Sequence, residues 1–138
     1  MLSFYIGENM KLVTKNMIYL WNMNNLCWMG YKMSSQNPFT YHHITKRTDG
    51  GRLTIDNGAI LTKNAHEFLN VIENKDLELY IYLNNMLKNI NNQREMPNRQ
   101  QLLAIDSLLR MFENEYSGKR NSKGNLLIKE EYTRRIIK

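Results

Sequence analysis

Two runs of apolar side chains limit what this chain can become. Leu77, Leu79, Tyr80, Leu83, Met86, Leu87 and Ile90 return every three or four residues, and Leu102, Leu103, Ile105, Leu108, Leu109 and Phe112 repeat the pattern further on. That period sets each group on one side of an α-helix. A one-sided apolar helix must be covered, so the fold has to be organised around a packed helical layer. Asp76 is placed to cap the first helix, Pro97 and Asn98 to open the second, and Gly118 to stop it, which predicts helices over 76–92 and 98–117. Leu12, Val13, Met17, Ile18, Leu20 and Trp21 predict a further helix from Asn9 to Asn25.

Between these helices the pattern changes. Residues 30–38 combine Gly30, Ser34, Ser35, Asn37 and Pro38, the composition of a loop. TYHHIT at 40–45 suits a short strand, Gly50 and Gly51 suit a tight turn at positive φ, and 59–62 suits a second strand leading into a helix over 63–74. The expected class is therefore α+β and mainly helical, a hairpin plus helix flanked by an N-terminal helix and two to three C-terminal ones. At 138 residues the length fits one compact unit, 1–117, with its core at 39–74. Residues 118–138 would form a basic segment, either docking as a short helix or staying mobile.

Bulk properties narrow the function. No apolar run approaches the roughly 18 residues of a membrane span, and MLSFYIGENMK lacks the marks of a secretory signal, so a soluble cytoplasmic protein is expected, with no membrane partner. The lone Cys27 excludes an internal disulfide and a four-thiolate zinc site. A net charge of +6 favours polyanionic partners. Much of the excess lies in Lys119, Arg120, Lys123, Lys129, Arg134, Arg135 and Lys138.

All three histidines, His42, His43 and His66, fall within one stretch of 25 residues. On a strand, His42 and His43 point to opposite faces, so one suits a metal ion and the other the substrate side. His66 stands on the first turn of the next helix and returns to the hairpin if that helix folds back over it.

The segment YHHITKRTDGGRLTIDNGAILTKNAHEFLN, 30 of the 138 residues, resembles the motif of HNH endonucleases: a histidine pair, a glycine turn, Asn57 at 14 residues after His43, and His66 at nine after Asn57. The resemblance implies a ββα-metal fold that hydrolyses DNA phosphodiester bonds with one divalent cation. His42 and His66 would be metal ligands, His43 the general base and Asn57 the residue that supports the loop and orients the base. Magnesium or manganese is expected ahead of zinc or nickel. Asn70 occupies a place where some relatives carry a further histidine, and either binds through oxygen or caps the helix. Many relatives carry two CxxC pairs. Here Met29 and Gly30 stand where Cys27 would have its partner, and Thr62 and Ala65 where the second pair would be, so no structural zinc is expected and Leu26, Trp28, Met29 and Ala65 fill the space.

Lys46, Arg47, Arg52 and Lys63 could grip phosphates on either side of the cut. Phe39 and Tyr41 suit either base stacking or the core. Such an enzyme nicks as a monomer and cuts both strands as a homodimer. The competing possibilities are a catalytically weak or inactive nucleic-acid-binding or regulatory protein of the same fold, and an accessory subunit with a phage or defence protein as partner. Small stand-alone members of the family imply a phage or mobile-element origin, acting in the cytoplasm of a bacterial host.

Overall fold

A computed structural model describes residues 10–136. Four α-helices and a two-stranded antiparallel sheet make an α+β fold, about 53% helical. In chain order these are α1 (Leu12–Leu20), β1 (Phe39–His43), β2 (Gly58–Thr62), α2 (Lys63–Lys75), α3 (Leu77–Gln93) and α4 (Arg99–Tyr116), with short 3₁₀ turns at Arg47–Asp49, Ile55–Asn57 and Glu130–Thr133.

α1 is shorter than its apolar pattern predicts. The Asn22 backbone turns left-handed at φ 50°, which stops the helix before Asn25; Asn9 lies outside the described residues. β1 likewise ends at His43 instead of Thr45, because the Thr45 N–H donates to the Asn57 side chain and leaves the ladder. The register sets Phe39 opposite Thr62, Tyr41 opposite Ile60 and His43 opposite Gly58.

Every residue of β2 is buried, so this strand is the floor on which the helices meet. α1 covers the hairpin with Met17 and Ile18; Phe68, Leu69 and Ile72 of α2 and Leu83, Leu87 and Ile90 of α3 complete the core beside it. Each such side chain contributes roughly 1.5–3 kcal/mol by leaving water. α2 follows β2 without a loop: Thr62 ends the strand and caps the helix, its hydroxyl accepting from the Ala65 N–H. Asp76 caps α3 by accepting from Leu79, and α4 opens on a capping box between Asn98 and Gln101.

The last described segment packs back as a 3₁₀ turn. Tyr132 stacks on Phe68 at 5.2 Å. The Arg135 side chain is 2% exposed and bonds the carboxylates of Asp106 and Glu113 on α4. Arg135 is therefore not among the charges open to a polyanion. Among the described residues no helix is long and apolar enough to cross a membrane.

Candidate active site

β1 carries His42 into the angle between α2 and α3, where it is 5% exposed. Its ring lies 5.4 Å from that of His66, centroid to centroid, at 81°. The hydrogen bonds around the two rings establish which nitrogen of each is free. The Asn84 amide N–H group donates to the Ile44 carbonyl at 2.8 Å, so the amide oxygen faces His42 and accepts from its Nε2–H, also at 2.8 Å. The Thr40 hydroxyl donates to the Leu61 carbonyl at 2.8 Å and presents a lone pair to His66 Nδ1 at 3.0 Å. His42 Nδ1 and His66 Nε2 are thereby the nitrogens left with unprotonated lone pairs. Burial, ahead of neighbouring charge, pulls His42 down to about 4 and also lowers His66. Both rings are neutral at neutral pH, the form that binds a metal.

His43 has different surroundings. Its ring meets the Tyr41 ring edge-on at 4.8 Å, and Tyr41 is anchored by donating its hydroxyl to the Thr54 carbonyl at 2.7 Å. Gly58 makes room, since a Cβ there would lie 2.4 Å from the Tyr41 ring. His43 Nε2 is buried without a hydrogen-bond partner, so packing rather than a carbonyl holds the ring. Desolvation first, then the charges of Lys11 and Arg47, lower its pKa. Strand alternation separates the environments of His42 and His43 but not their access: with His66 they line one cleft of about 280 Å³.

The chain between the strands is a tied loop. Asn57 Oδ1 accepts from the Thr45 N–H at 2.7 Å, while its amide N–H group donates to the Thr45 and Arg52 carbonyls at 2.9 and 3.0 Å. α3 holds the same loop from outside. Lys88 donates to the Asp56 carbonyl at 2.9 Å, and Asn91 to those of Ile55 and Gly58, both at 2.7 Å. Asn84, Lys88 and Asn91 share one face of α3, and none of them belongs to the apolar stripe that predicts the helix. The overlooked signal was two asparagines at core spacing: Tyr80, Asn84, Leu87 and Asn91 follow one stripe.

Of the four basic residues expected around the histidines, Lys46 and Arg47 line the cleft, whereas Arg52 and Lys63 do not. Arg52 takes part through its backbone carbonyl. Lys63 faces a separate groove with Lys32, Asn37 and Arg134. Asn70 does line the cleft, as do Glu73 and Tyr80, which the sequence had not suggested. Lys46 pairs with Glu73 and sits 5.9 Å from the Tyr80 ring centroid. Phe39 and Tyr41 are buried, so neither is presented for base stacking. Cys27 is fully buried, its Sγ 4.0 Å from the Thr62 hydroxyl, and burial raises its pKa. Among the described residues no group of three or more His, Cys, Asp or Glu side chains gathers around one point. The donors facing one another are two imidazoles, with the Asn70 amide one helical turn beyond His66.

No protein-family model, curated protein or solved structure matches the chain.

Proposed function

We propose that the protein is a divalent-cation-dependent phosphodiesterase. Within that class its substrate is DNA, cut internally, and the core formed by β1, β2 and α2 serves as a ββα-metal unit of HNH type. The observation that carries this reading is the pairing of His42 and His66: two neutral imidazoles 5.4 Å apart, each with one nitrogen engaged and the other unprotonated, in the cleft that also holds His43, Lys46 and Arg47.

The donor chemistry fits a divalent cation, because neutral imidazole lone pairs are ligands and both rings stay neutral without help. His42 Nδ1, His66 Nε2 and the Asn70 carbonyl oxygen would hold it. The resemblance favours magnesium or manganese, while the two imidazoles by themselves suit zinc or nickel, since magnesium prefers oxygen ligands. When bound, the cation offsets the negative charge that builds on the scissile phosphate and on the leaving 3′ oxygen. His43 takes the proton of the attacking water. With Nε2 closed off from solvent, Nδ1 is the nitrogen left for that task. Lys46 and Arg47 hold phosphate oxygens beside the cut, Lys46 leaving Glu73 to do so. Asn57 keeps the loop closed behind the base. The products carry a 5′-phosphate and a 3′-hydroxyl, and a single cleft nicks one strand.

The test is supercoiled plasmid with Mg²⁺ or Mn²⁺. Conversion to relaxed circles by wild type, loss of that conversion in EDTA, and a fall of roughly 10²–10⁴-fold in His43→Ala are expected. Persisting supercoiled substrate, or equal cutting by His43→Ala, overturns the reading. The unpartnered His43 Nε2 favours a second reading, a weakly catalytic DNA-binding protein of the same fold, since no hydrogen bond orients the base. Tight DNA binding without turnover in any divalent metal would establish that instead.

A further inference from the structure

We infer that Asn84, on a helix outside the hairpin, is the residue that decides which nitrogen of His42 faces the cleft and that pins the backbone beyond His43. The inference rests on His42 belonging to the site proposed above. It concerns a residue outside the segment that resembles a known motif.

The geometry is a bridge of two hydrogen bonds across one strand end. Asn84 Oδ1 stands 2.8 Å from His42 Nε2, and Asn84 Nδ2 stands 2.8 Å from the Ile44 carbonyl oxygen. A carbonyl only accepts, so the amide cannot be turned around without losing that bond. Turning it would also set an N–H group against the imidazole. With the oxygen fixed, a neutral imidazole must carry its single proton on Nε2. In an unconstrained imidazole the two tautomers interconvert, and the Nδ1–H form would have no lone pair to offer on the cleft side. The proton position is thus set by a side chain 42 residues away in sequence.

The second bond reaches past His43. Residues 42 and 44 flank the proposed base, and one amide holds the side chain of the first and the carbonyl of the second. His43 lacks a partner of its own at Nε2, so its orientation rests on the Tyr41 ring it packs against and on the backbone from which it projects. Asn84 is itself held because α3 is stitched to the same loop through Lys88 and Asn91. Asn84 does not line the cleft and acts through His42, which makes it a positioning residue.

The experiment uses the full-length protein labelled with ¹⁵N at histidine, with long-range proton–nitrogen correlation spectra recorded at neutral pH in EDTA. In wild type, His42 should show a protonated Nε2 and an unprotonated Nδ1. Asn84→Leu, which removes both bonds, should give averaged His42 nitrogen shifts from exchanging tautomers and leave His66, held by Thr40, as it was. Asn84→Asp keeps an acceptor and should restore the wild-type proton position. Titration with Mn²⁺ alone should then show apparent affinity falling roughly 10–100-fold in Asn84→Leu. A His42 protonated on Nδ1 in wild type, or a tautomer unchanged in Asn84→Leu, overturns the inference. Should Asn84→Leu not fold, Asn84→Ala removes the same two bonds, and a wild-type His42 tautomer there overturns the inference equally. A tautomer that Asn84 controls, in a protein whose His42 and His66 signals ignore Mn²⁺, would uphold the positioning role and sink the metal reading.

Discussion

At the scale of the residue, the same side-chain type does different work because burial and partners differ. His42 stays neutral in the folded chain down to about pH 4, while its ordinary value is 6.5. Between those values the unfolded state binds the extra proton, so stability rises with pH. In EDTA, the unfolding free energy should drop by about 3 kcal/mol as pH falls across that window. His42→Leu should reduce the slope by that share and leave the smaller parts that His43 and His66, also lowered by burial, contribute; urea titrations at several pH values would measure it, and a flat wild-type profile would contradict the burial argument. The adjacent glycines are another contrast. Gly50 has φ 88° with open space where a Cβ would go, whereas a Cβ on Gly51 would lie 1.8 Å from the Thr45 carbonyl oxygen. Only Gly50 is needed for its backbone angle; Gly51 is needed for room. Gly50→Ala should cost about 1–2 kcal/mol. Gly51→Ala should cost more and reduce cleavage, because the carbonyl it displaces is one that Asn57 holds.

At the scale of the element, α3 is the piece whose role changed most between sequence and structure. Its apolar stripe packs as expected, and its asparagines hold the loop that carries the site. Asn91 is 1% exposed and gives two hydrogen bonds to loop carbonyls. Replacing it with Leu leaves those carbonyls buried beside an apolar group, so a loss of about 1–3 kcal/mol is expected in chemical denaturation. Cleavage should fall with it, because the backbone at Ile55 and Gly58 brackets Asn57. If stability dropped while cleavage per folded molecule stayed at wild type, α3 would be scaffold only.

At the scale of the whole molecule, charge divides into two populations. Arg135 is spent inside the fold on Asp106 and Glu113, whereas Lys46 and Arg47 face the cleft. Arg135→Ala strands two partly buried carboxylates and should cost about 3–5 kcal/mol, with the salt dependence of DNA binding unchanged. Arg47→Ala should leave stability within about 0.5 kcal/mol and lower the slope of log K against log salt by roughly one. Fluorescence anisotropy across a salt series distinguishes the two; a reduced slope in a folded Arg135 variant would mean that this arginine meets phosphate.

Periodicity, caps and turn chemistry act over a few neighbouring residues, which is why the sequence alone located α2, α3 and α4 to within a residue or so, the α+β class, and the stretch holding His42, His43, Asn57 and His66. The ends of α1 and β1 escaped it, because Asn22 and Asn57 end those elements through backbone turning and a side-chain bond. Which histidine nitrogens are free, that Arg52 and Lys63 stand away from the cleft while Glu73 stands in it, and that Arg135 is buried were decided only by tertiary structure. Each depends on a partner from another element: Asn84 for His42, Thr40 for His66, Asp106 and Glu113 for Arg135. Hydrogen bonds and ion pairs act over about 3 Å, and no local pattern along the chain specifies which distant side chain will be brought within that distance.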